Sequence, residues 1–192
     1  TLMYDNYYPE LNFTIQDATG RFTSNFMPQE GDIVKLYLKP HSTKYNPIYI
    51  LFEIEHYFKI GKVSGVVVAL DYRGKKISQK LIAYGKEQLL STGKLNSLFS
   101  TTRTTSIAPQ LMFVHNGFHP LGILPNAHKI HEFETLTLFG CFAPGVLEKR
   151  KRVKRIPARV APILKHLNKL VGKPGLARIM SSVEEQTLVN TC

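Results

Sequence analysis

The stretch Val66–Ile82 most constrains the fold, because it joins an apolar run, a polar turn and a helical pattern. Val66–Leu70 is continuously apolar, which is typical of a strand covered on both faces. Asp71–Gly74 interrupts the run, and apolar residues then recur at helical spacing. They are Ile77, Leu81, Ile82 and Tyr84. A basic turn with a glycine between strand and helix directs backbone N–H groups to one place, which predicts a phosphate-binding unit.

The same stretch carries a motif of the GNAT acyltransferases, whose acyl-CoA-binding segment is approximately V-x-P-x-(Y/F)-R-G-x-G-(I/V/L)-(G/A). The residues that match in order are Val68, Asp71, Tyr72, Arg73, Gly74, Lys75 and Ile77. A second match follows, since Leu98–Thr102 resembles the next strand of that family. Thr104–Phe118 resembles its next helix with the ending F-Y-x-K-x-G-F, and His119–Ile123 resembles the strand after it. The chain therefore resembles a GNAT N-acetyltransferase over residues 60–142.

The resemblance implies an α/β (α+β) domain with the acyl-CoA N-acyltransferase fold. In this fold a mixed, mainly antiparallel sheet is flanked by helices and is splayed where the cofactor enters. Hydrophobic periodicity predicts strands at 13–15, 21–23, 33–38, 48–60, 66–70, 96–102, 120–124 and 132–142, and helices at 77–90, 108–116 and 162–171. A turn is expected at Gly61–Lys62 and a loop at Pro125–Lys129. Residues 1–60 lack the helix pair usual in GNAT folds, so it lies upstream of Thr1 or the acceptor side is built differently.

The resemblance also implies where acetyl-CoA, or another acyl-CoA, is held as co-substrate. In the family the pantetheine arm adds to the strand by backbone hydrogen bonds, as an extra strand would. The candidate residues for the arm are Val66, Val67, Val68, Thr102 and Thr104. The candidate residues for the diphosphate are Arg73, Gly74, Lys75, Lys76, Ile77 and Ser78. A backbone N–H near Val68 is the candidate oxyanion donor.

Some positions depart from the family pattern. Lys76 and Ser78 occupy its last two glycine positions, where glycine allows backbone to approach the diphosphate closely. Phe113 occupies the position of the tyrosine that often acts as general acid. A phenyl ring cannot donate a proton, so that role must belong to another group.

Glu134 is the first candidate for the general base that an attacking amine requires. Its alternation with Leu136 and Leu138 predicts an inward-facing carboxyl group, whose pKa desolvation would raise. The structural alternative is an ion pair with an Arg or Lys. Glu53 and Glu55 are further candidates for the base.

Ser106 and His115 are the candidate proton donors for the leaving thiolate, with bound water as the third. Ser106 is equally a candidate helix cap, as is Thr105. Arg103 is a candidate ligand for an acceptor carboxylate or a cofactor phosphate, or a partner in a surface ion pair. We expect no metal site, because the two histidines of His128–Glu134 would face opposite ways on a strand.

A further local signature resembles the GNAT enzymes that acetylate β-lysine or similar amino acids. It consists of Thr101, Arg103, Ser106, Phe113, Gly117, Phe118, Gly122, Leu124, Asn126, Ile130, Phe133 and Glu134. This resemblance implies a small zwitterionic amine as acceptor, and it places Asn126–Glu134 in the acceptor site.

The net charge of +11 belongs to one segment. Residues 149–178 hold 11 of the 25 Lys and Arg residues and no acid, and the remaining 14 basic residues balance the 14 acidic ones. Ala143–Gly145 marks a boundary, which predicts an acyltransferase domain at 1–145 and a basic helical extension at 146–192. Several roles for the extension remain open. It binds nucleic acid, an anionic membrane or an acyl carrier protein, it mediates self-association, or it packs on its own domain. Nucleic acid is disfavoured, because 149–178 contains no aromatic residue for base stacking.

Composition indicates a globular protein of the reducing cytoplasm. Hydrophobic residues make up 43% of the chain, and no apolar run approaches the roughly 18 residues of a membrane span. The two cysteines, Cys141 and Cys192, form no disulfide framework, and the start shows no signal-peptide pattern. Because the first residue is Thr1 and not Met, we expect that the chain is processed or cut from a longer one.

The resemblance favours N-acyl transfer from acyl-CoA, and most of all acetyl-CoA, to a primary amine of a small molecule by direct attack. One alternative is an N-acyl amino acid synthase whose acyl donor is an acyl carrier protein docked on the basic extension. Another is a catalytically degenerate acyl-CoA-binding module, which the departures at Lys76, Ser78 and Phe113 suggest.

Overall fold

The computed structural model describes residues 48–151 and 154–170 in full, together with the backbone of 11–16, 22–23, 33–38 and 178–179. The chain divides into two compact units, Thr1–Ala143 and Pro144–Cys192. The first unit contains a large sheet and two α-helices, and the second contains one α-helix and a two-stranded sheet.

The first unit is built on a mixed, mainly antiparallel sheet of eight strands. The strands are β1 Leu11–Gln16, β2 Phe22–Thr23, β3 Ile33–Leu38, β4 Ile48–Glu55, β5 Ile60–Val68, β6 Ser97–Arg103, β7 His119–Lys129 and β8 Phe133–Phe142. Their order is β2-β1-β3-β4-β5-β6-β8-β7. Among the described strands of this sheet, β5 and β6 form the one parallel pair. The predicted fold class is confirmed.

Two helices flank the sheet, as predicted. They are α1 Ile77–Lys86, which continues as a π-helical turn over Glu87–Ser91, and α2 Ile107–His115. Helix α1 buries Ile77, Leu81 and Ile82, the positions that its helical spacing had placed on one face. Helix α2 ends at Gly117, whose φ of 76° lets the chain turn back, and the Phe118 N–H donates to the Phe113 carbonyl at 3.0 Å.

The core lies on the face of the sheet to which alternate residues of β4 point. Those residues are Ile48, Ile50, Phe52 and Ile54, and all four are buried. Around α2, the Phe113 ring stacks on Phe139 with centroids 5.7 Å apart and meets Phe118 edge-on at 5.0 Å. Phe113 is therefore a core residue.

Strands β5 and β6 separate soon after they meet. They pair at three positions, Ile60–Lys62 with Ser97–Phe99, although β5 continues to Val68. Just beyond those positions the Ser100 hydroxyl donates a hydrogen bond to the Val63 carbonyl at 2.9 Å. On its other side β5 stays paired with β4 as far as its last residue. The sheet is therefore splayed between β5 and β6.

The second unit contains β9 Arg155–Ile156 and β10 Arg178–Ile179, which pair in parallel, and helix α3 Ala161–Leu170. Short 3-10 turns precede β9 and α3, at Leu147–Lys149 and Ala158–Val160. Within the unit, Arg150 Nη2 donates to Asn168 Oδ1 at 2.8 Å, which satisfies a buried amide on α3. The basic extension expected at 146–192 thus contains a short strand and helical turns in addition to its helix.

In the part of the chain that the structure describes, no helix has both the length and the hydrophobicity that a membrane crossing requires.

The turn after β4 is not where the sequence placed it. It occupies His56–Lys59, and the expected turn residues Gly61–Lys62 lie inside β5. Lys59 takes a left-handed φ of 53°, which is unusual for a residue with a side chain. Its carbonyl accepts a hydrogen bond from the Asn96 N–H at 2.6 Å. The alternating pattern runs through the turn, so the single strand predicted at 48–60 is wrong.

The outer hairpins differ in how well they were predicted. The strands predicted at 13–15 and 21–23 are confirmed as β1 and β2, which pair with each other, and the connecting residues 17–21 lie outside the described part of the chain. The loop expected at Pro125–Lys129 is wrong, because these residues belong to β7. The register of β7 with β8 shifts between Leu124 and His128. An irregularity of this kind accommodates a proline in an edge strand, which explains why the proline did not end the strand.

Gly61 lies where β5 and β6 make their parallel contact. A Cβ atom there would be 2.7 Å from Leu95 Cδ1 and 2.8 Å from Leu98 Cδ2, and both leucines are almost wholly buried. We expect Gly61→Ala to lower the free energy of unfolding by about 1–3 kcal/mol, because neither leucine has room to withdraw. Urea unfolding measures this. Gly122→Ala, where no atom lies within 4 Å, is the matched control, and equal midpoints for the two variants would contradict the expectation.

Candidate functional site

A cleft of about 490 Å³ opens where β5 leaves β6. It is lined by the end of β5, the turn that follows, and the first parts of α1 and α2. The lining residues are Val66, Val68, Tyr72, Arg73, Gly74, Lys76, Ile77, Ser78, Gln79, Ala108, Pro109 and Met112. No described strand pairs with the edge of Val66–Val68 that faces β6. This edge therefore offers backbone hydrogen-bonding groups to a ligand in the cleft.

The turn between β5 and α1 uses two left-handed residues. Gly74 has a φ of 78° and Lys76 a φ of 57°, and Lys76 immediately precedes the first residue of α1. Lys76 thus makes a bend that usually requires glycine. Among the residues that the structure describes, no side chain caps the start of α1. The N–H groups and the positive dipole end of its first turn are therefore available beside the cleft.

The basic residues of the turn point in different directions. Arg73 Nε donates to the Val68 carbonyl at 3.1 Å, and among the described residues its Nη groups make no hydrogen bond. Lys75 Nζ lies 5.1 Å from the centroid of the Tyr72 ring, and Lys75 does not line the cleft. Of the residues expected to bind a diphosphate, Arg73, Gly74, Lys76, Ile77 and Ser78 are brought together and Lys75 is not.

The residues expected to contact the pantetheine arm also differ in their surroundings. Val66 and Val68 line the cleft, whereas Val67 does not. Thr102 on β6 is only 7% exposed, and its Oγ1 has no hydrogen-bond partner among the described residues. The Thr104 hydroxyl already donates to the Thr135 carbonyl at 3.0 Å. The Thr102 hydroxyl is therefore a buried polar group without a hydrogen bond, which costs free energy. The hydroxyl of Thr104 is satisfied.

Glu134 forms a bidentate ion pair with Arg103. The hydrogen bond from Arg103 holds the pKa of Glu134 below its usual value. The expectation that desolvation would raise this pKa is wrong, because the buried face of β8 carries Thr137, Phe139 and Cys141 instead. Glu134 also does not line the cleft. The ion pair considered as the alternative is what forms.

Ser106 and His115 lie at opposite ends of α2. At a rise of 1.5 Å per residue they are about 13 Å apart along the axis, so one sulfur atom cannot contact both side chains. The Ser106 side chain makes no capping hydrogen bond, although the residue precedes the helix. His115 Nδ1 lies 3.2 Å from Nε2 of Gln79, a residue that lines the cleft. Neither Ser106 nor His115 is among the residues that line the cleft.

Several lining residues were missed from the sequence. Ala108 and Met112 recur at i and i+4 on α2, so helical spacing could have placed them on one face. Gln79 gave no such signal, because its importance comes from the packing of α1 against α2.

Solved structures of acetyltransferases share the fold. Spermidine N-acetyltransferase of Vibrio cholerae, solved with CoA and spermine, is 14% identical over 60% of this chain and 68% of its own, with a TM-score of 0.51. The microcin C7 self-immunity acetyltransferase MccE, solved with acetyl-CoA and AMP, is 15% identical over 57% of this chain and 61% of its own, with a TM-score of 0.51. A GNAT-family acetyltransferase from Streptococcus pneumoniae is 17% identical over 60% of this chain and 68% of its own, with a TM-score of 0.52.

At the level of sequence, no protein-family profile and no curated protein matches the chain. The structural neighbours establish that the chain has the fold of the GNAT N-acetyltransferases, as the sequence motifs implied.

The Arg103–Glu134 pair makes the stability of the first unit depend on pH. Folding lowers the pKa of Glu134, so the ionised carboxylate stabilises the folded state above the unfolded pKa of about 4.3. This contribution is lost as the pH falls through the lower folded pKa. We expect Glu134→Gln to be less stable than the wild type near neutral pH, with a difference that narrows below about pH 4.

Urea unfolding of both proteins over a series of pH values measures this difference. Glu132→Gln removes a charge from an exposed neighbouring position and serves as the control. A difference between wild type and Glu134→Gln that stays constant with pH would show that the pair does not titrate as expected.

Proposed function

We propose that the chain is an N-acyltransferase, which transfers an acetyl or other acyl group from acyl-CoA to a primary amine of a small molecule by direct attack. The observation that carries the proposal is the divergence of β5 from β6, which leaves the edge of Val66–Val68 open beside a basic turn. An acyl-CoA has the matching parts, since its amide-containing arm suits a strand edge and its diphosphate suits a helix start. Two solved neighbours contain acetyl-CoA or CoA, which supports this choice of donor.

In this proposal the arm lies along Val66–Val68 and the diphosphate lies against the first turn of α1. The backbone N–H groups at the start of α1, the Nη groups of Arg73 and the ammonium of Lys76 supply donors and positive charge. Thr102 Oγ1 lacks a partner among the described residues, but it is buried and Thr102 does not line the cleft, so we assign it no contact with the arm. The left-handed conformation of Lys76 supports the assignment, because it reproduces the bend that glycine makes in the family pattern.

The reaction itself is an addition followed by elimination. The amine nitrogen forms a bond to the thioester carbon, the C–S bond breaks with its electron pair on sulfur, and a proton from the amine ends on the thiol. A backbone N–H near Val68 stabilises the negative oxygen of the intermediate. The products are the N-acylated amine and free CoA thiol, so no further reactant is needed.

The polar candidates for the proton donor and the base differ in their surroundings. Phe113 is fixed in the core, and Glu134 is ionised and paired with Arg103, which makes it a weak base. Ser106 immediately precedes α2 and His115 is its last residue, and neither side chain lines the cleft. We therefore assign the transfer of the proton to the departing sulfur to bound water.

A thiol-release assay with acetyl-CoA tests the function across a panel of amino acids, polyamines and peptides. Polyamines belong in the panel because one neighbour was solved with spermine. We expect release that depends on the amine, with an equal amount of N-acetylated product by mass spectrometry. Binding of acetyl-CoA without turnover on any amine would favour a binding module instead. Turnover only with a donor carried by an acyl carrier protein would overturn the assignment of the donor.

The turn offers a matched pair of cations for a binding experiment. We expect Arg73→Ala to weaken acetyl-CoA binding about tenfold, because a charge-assisted hydrogen bond to phosphate is lost. Lys75→Ala removes the same charge two residues away, but Lys75 lies over Tyr72 and outside the cleft, so we expect it to change affinity little. Isothermal titration calorimetry measures both. If the two variants lost the same affinity for acetyl-CoA, the turn would contribute to binding only through its total charge.

A further inference from the structure

The cleft has an outer and an inner end, which the direction of its lining elements defines. Helix α1 connects the end of β5 to the start of the parallel strand β6, and α2 connects the end of β6 to β7, which runs in the same direction as β6. Each helix therefore begins at the edge of the sheet where β5 and β6 end, and runs back toward the edge where they begin. Lining residues that come later in a helix, or earlier in β5, thus lie deeper in the cleft.

Val66 and Met112 are the innermost of the lining residues. On α2, Met112 lies one helical turn, or about 6 Å, beyond Ala108. On β5, Val66 lies two residues, or about 7 Å, further from the turn than Val68. On α1 the lining residues end at Gln79, in the first turn. The inner end of the cleft is therefore bounded by one side chain from β5 and one from α2.

The two ends of the cleft differ in charge. The charged residues that line it, Arg73 and Lys76, both belong to the turn at the outer end. Val66 and Met112, at the inner end, are both apolar. The outer end therefore suits the anionic part of a ligand, and the inner end suits an apolar part.

The Met112 side chain closes the inner end as part of the hydrophobic core. It is only 8% exposed and belongs to the main cluster of buried residues. The backbone that carries it is held in place, because the Met112 carbonyl accepts a hydrogen bond from Asn116 Nδ2 at 2.8 Å. Met112 is therefore a wall of the cleft, and a ligand that extends further inward must displace packed atoms.

We propose that Met112 sets the length of the acyl group that the site accepts, and that it favours the acetyl group. This inference rests on the function proposed above, in which the diphosphate lies at the first turn of α1 and the arm lies along Val66–Val68. The thioester is at the end of the arm remote from the diphosphate, so the acyl group points past Val66 toward Met112. The apolar wall suits the methyl of an acetyl group, whereas a longer chain has to displace the buried side chain of Met112.

Methyl NMR with carbon-13-labelled methionine tests this contact without any turnover. The chain has four methionines, and the signal that is missing from Met112→Val identifies Met112. We expect a nuclear Overhauser effect between the Met112 methyl and the acetyl methyl of bound acetyl-CoA. We also expect the Met112 shift to differ between the complexes with acetyl-CoA and with free CoA. Bound acetyl-CoA without this Overhauser effect would overturn the proposal and leave the proposed function standing.

Isothermal titration calorimetry with acetyl-CoA and butyryl-CoA measures the selectivity. We expect the wild type to bind acetyl-CoA more tightly than butyryl-CoA. In Met112→Ala we expect the affinity for butyryl-CoA, relative to that for acetyl-CoA, to rise about tenfold, because the two additional methylene groups gain an apolar space. Leu111→Ala is the matched control, since Leu111 is an exposed neighbour on α2 that does not line the cleft, and we expect it to leave the ratio unchanged.

Met112→Val keeps an apolar side chain in the core, and we expect a smaller change in the same direction from it. The proposal therefore stays testable if Met112→Ala does not fold. A ratio in Met112→Val that equals the wild-type ratio would overturn the proposal. The expected contact and selectivity in a protein that acetylates no amine would overturn the proposed function and leave the role of Met112 in binding standing.

Discussion

The short parallel contact between β5 and β6 is the constraint on which the site depends. Three residue pairs hold the strands together, and close packing at Gly61 and the Ser100–Val63 hydrogen bond fix that closed end. Beyond it β5 follows β4 and β6 follows β8, so the two halves of the sheet move apart. The cleft exists because no described strand pairs with β5 or β6 on the inner side, and helices α1 and α2 both begin at its margin.

Much of this architecture was predictable because it is encoded locally. The alternation in β4, the apolar run of β5 and the helical spacing of α1 each reflect a single buried face, which a short window of sequence reveals. The motif around Arg73 further predicted which residues would form the turn. The sequence pattern did not indicate the turn at His56–Lys59, because its left-handed residue is a lysine and not a glycine, and because the alternating pattern continues through it. The second half of strand β7 was not predicted, because a proline in the sequence indicated the end of the strand.

The chemistry of the site was less predictable, because it depends on pairs that are distant in sequence. Glu134 was expected to be a desolvated base, but its partner Arg103 is 31 residues away and meets it only through the pairing of β6 with β8. Gln79 and His115 are 36 residues apart and meet only because α1 packs on α2. A periodic pattern assigns a side chain to a face. It does not say which side chain from another element will stand opposite, and for Glu134 that partner is what lowers the pKa.

The left-handed conformation of Lys76 has a consequence for the kinetics of binding. A residue with a Cβ atom adopts this conformation at a cost of about 1–2 kcal/mol, so the surrounding fold must impose it. Other interactions formed during folding compensate this conformational energy before any anion binds. An incoming diphosphate would therefore meet a turn that is already bent, and its capture would be limited by diffusion and electrostatic attraction rather than by rearrangement of the loop.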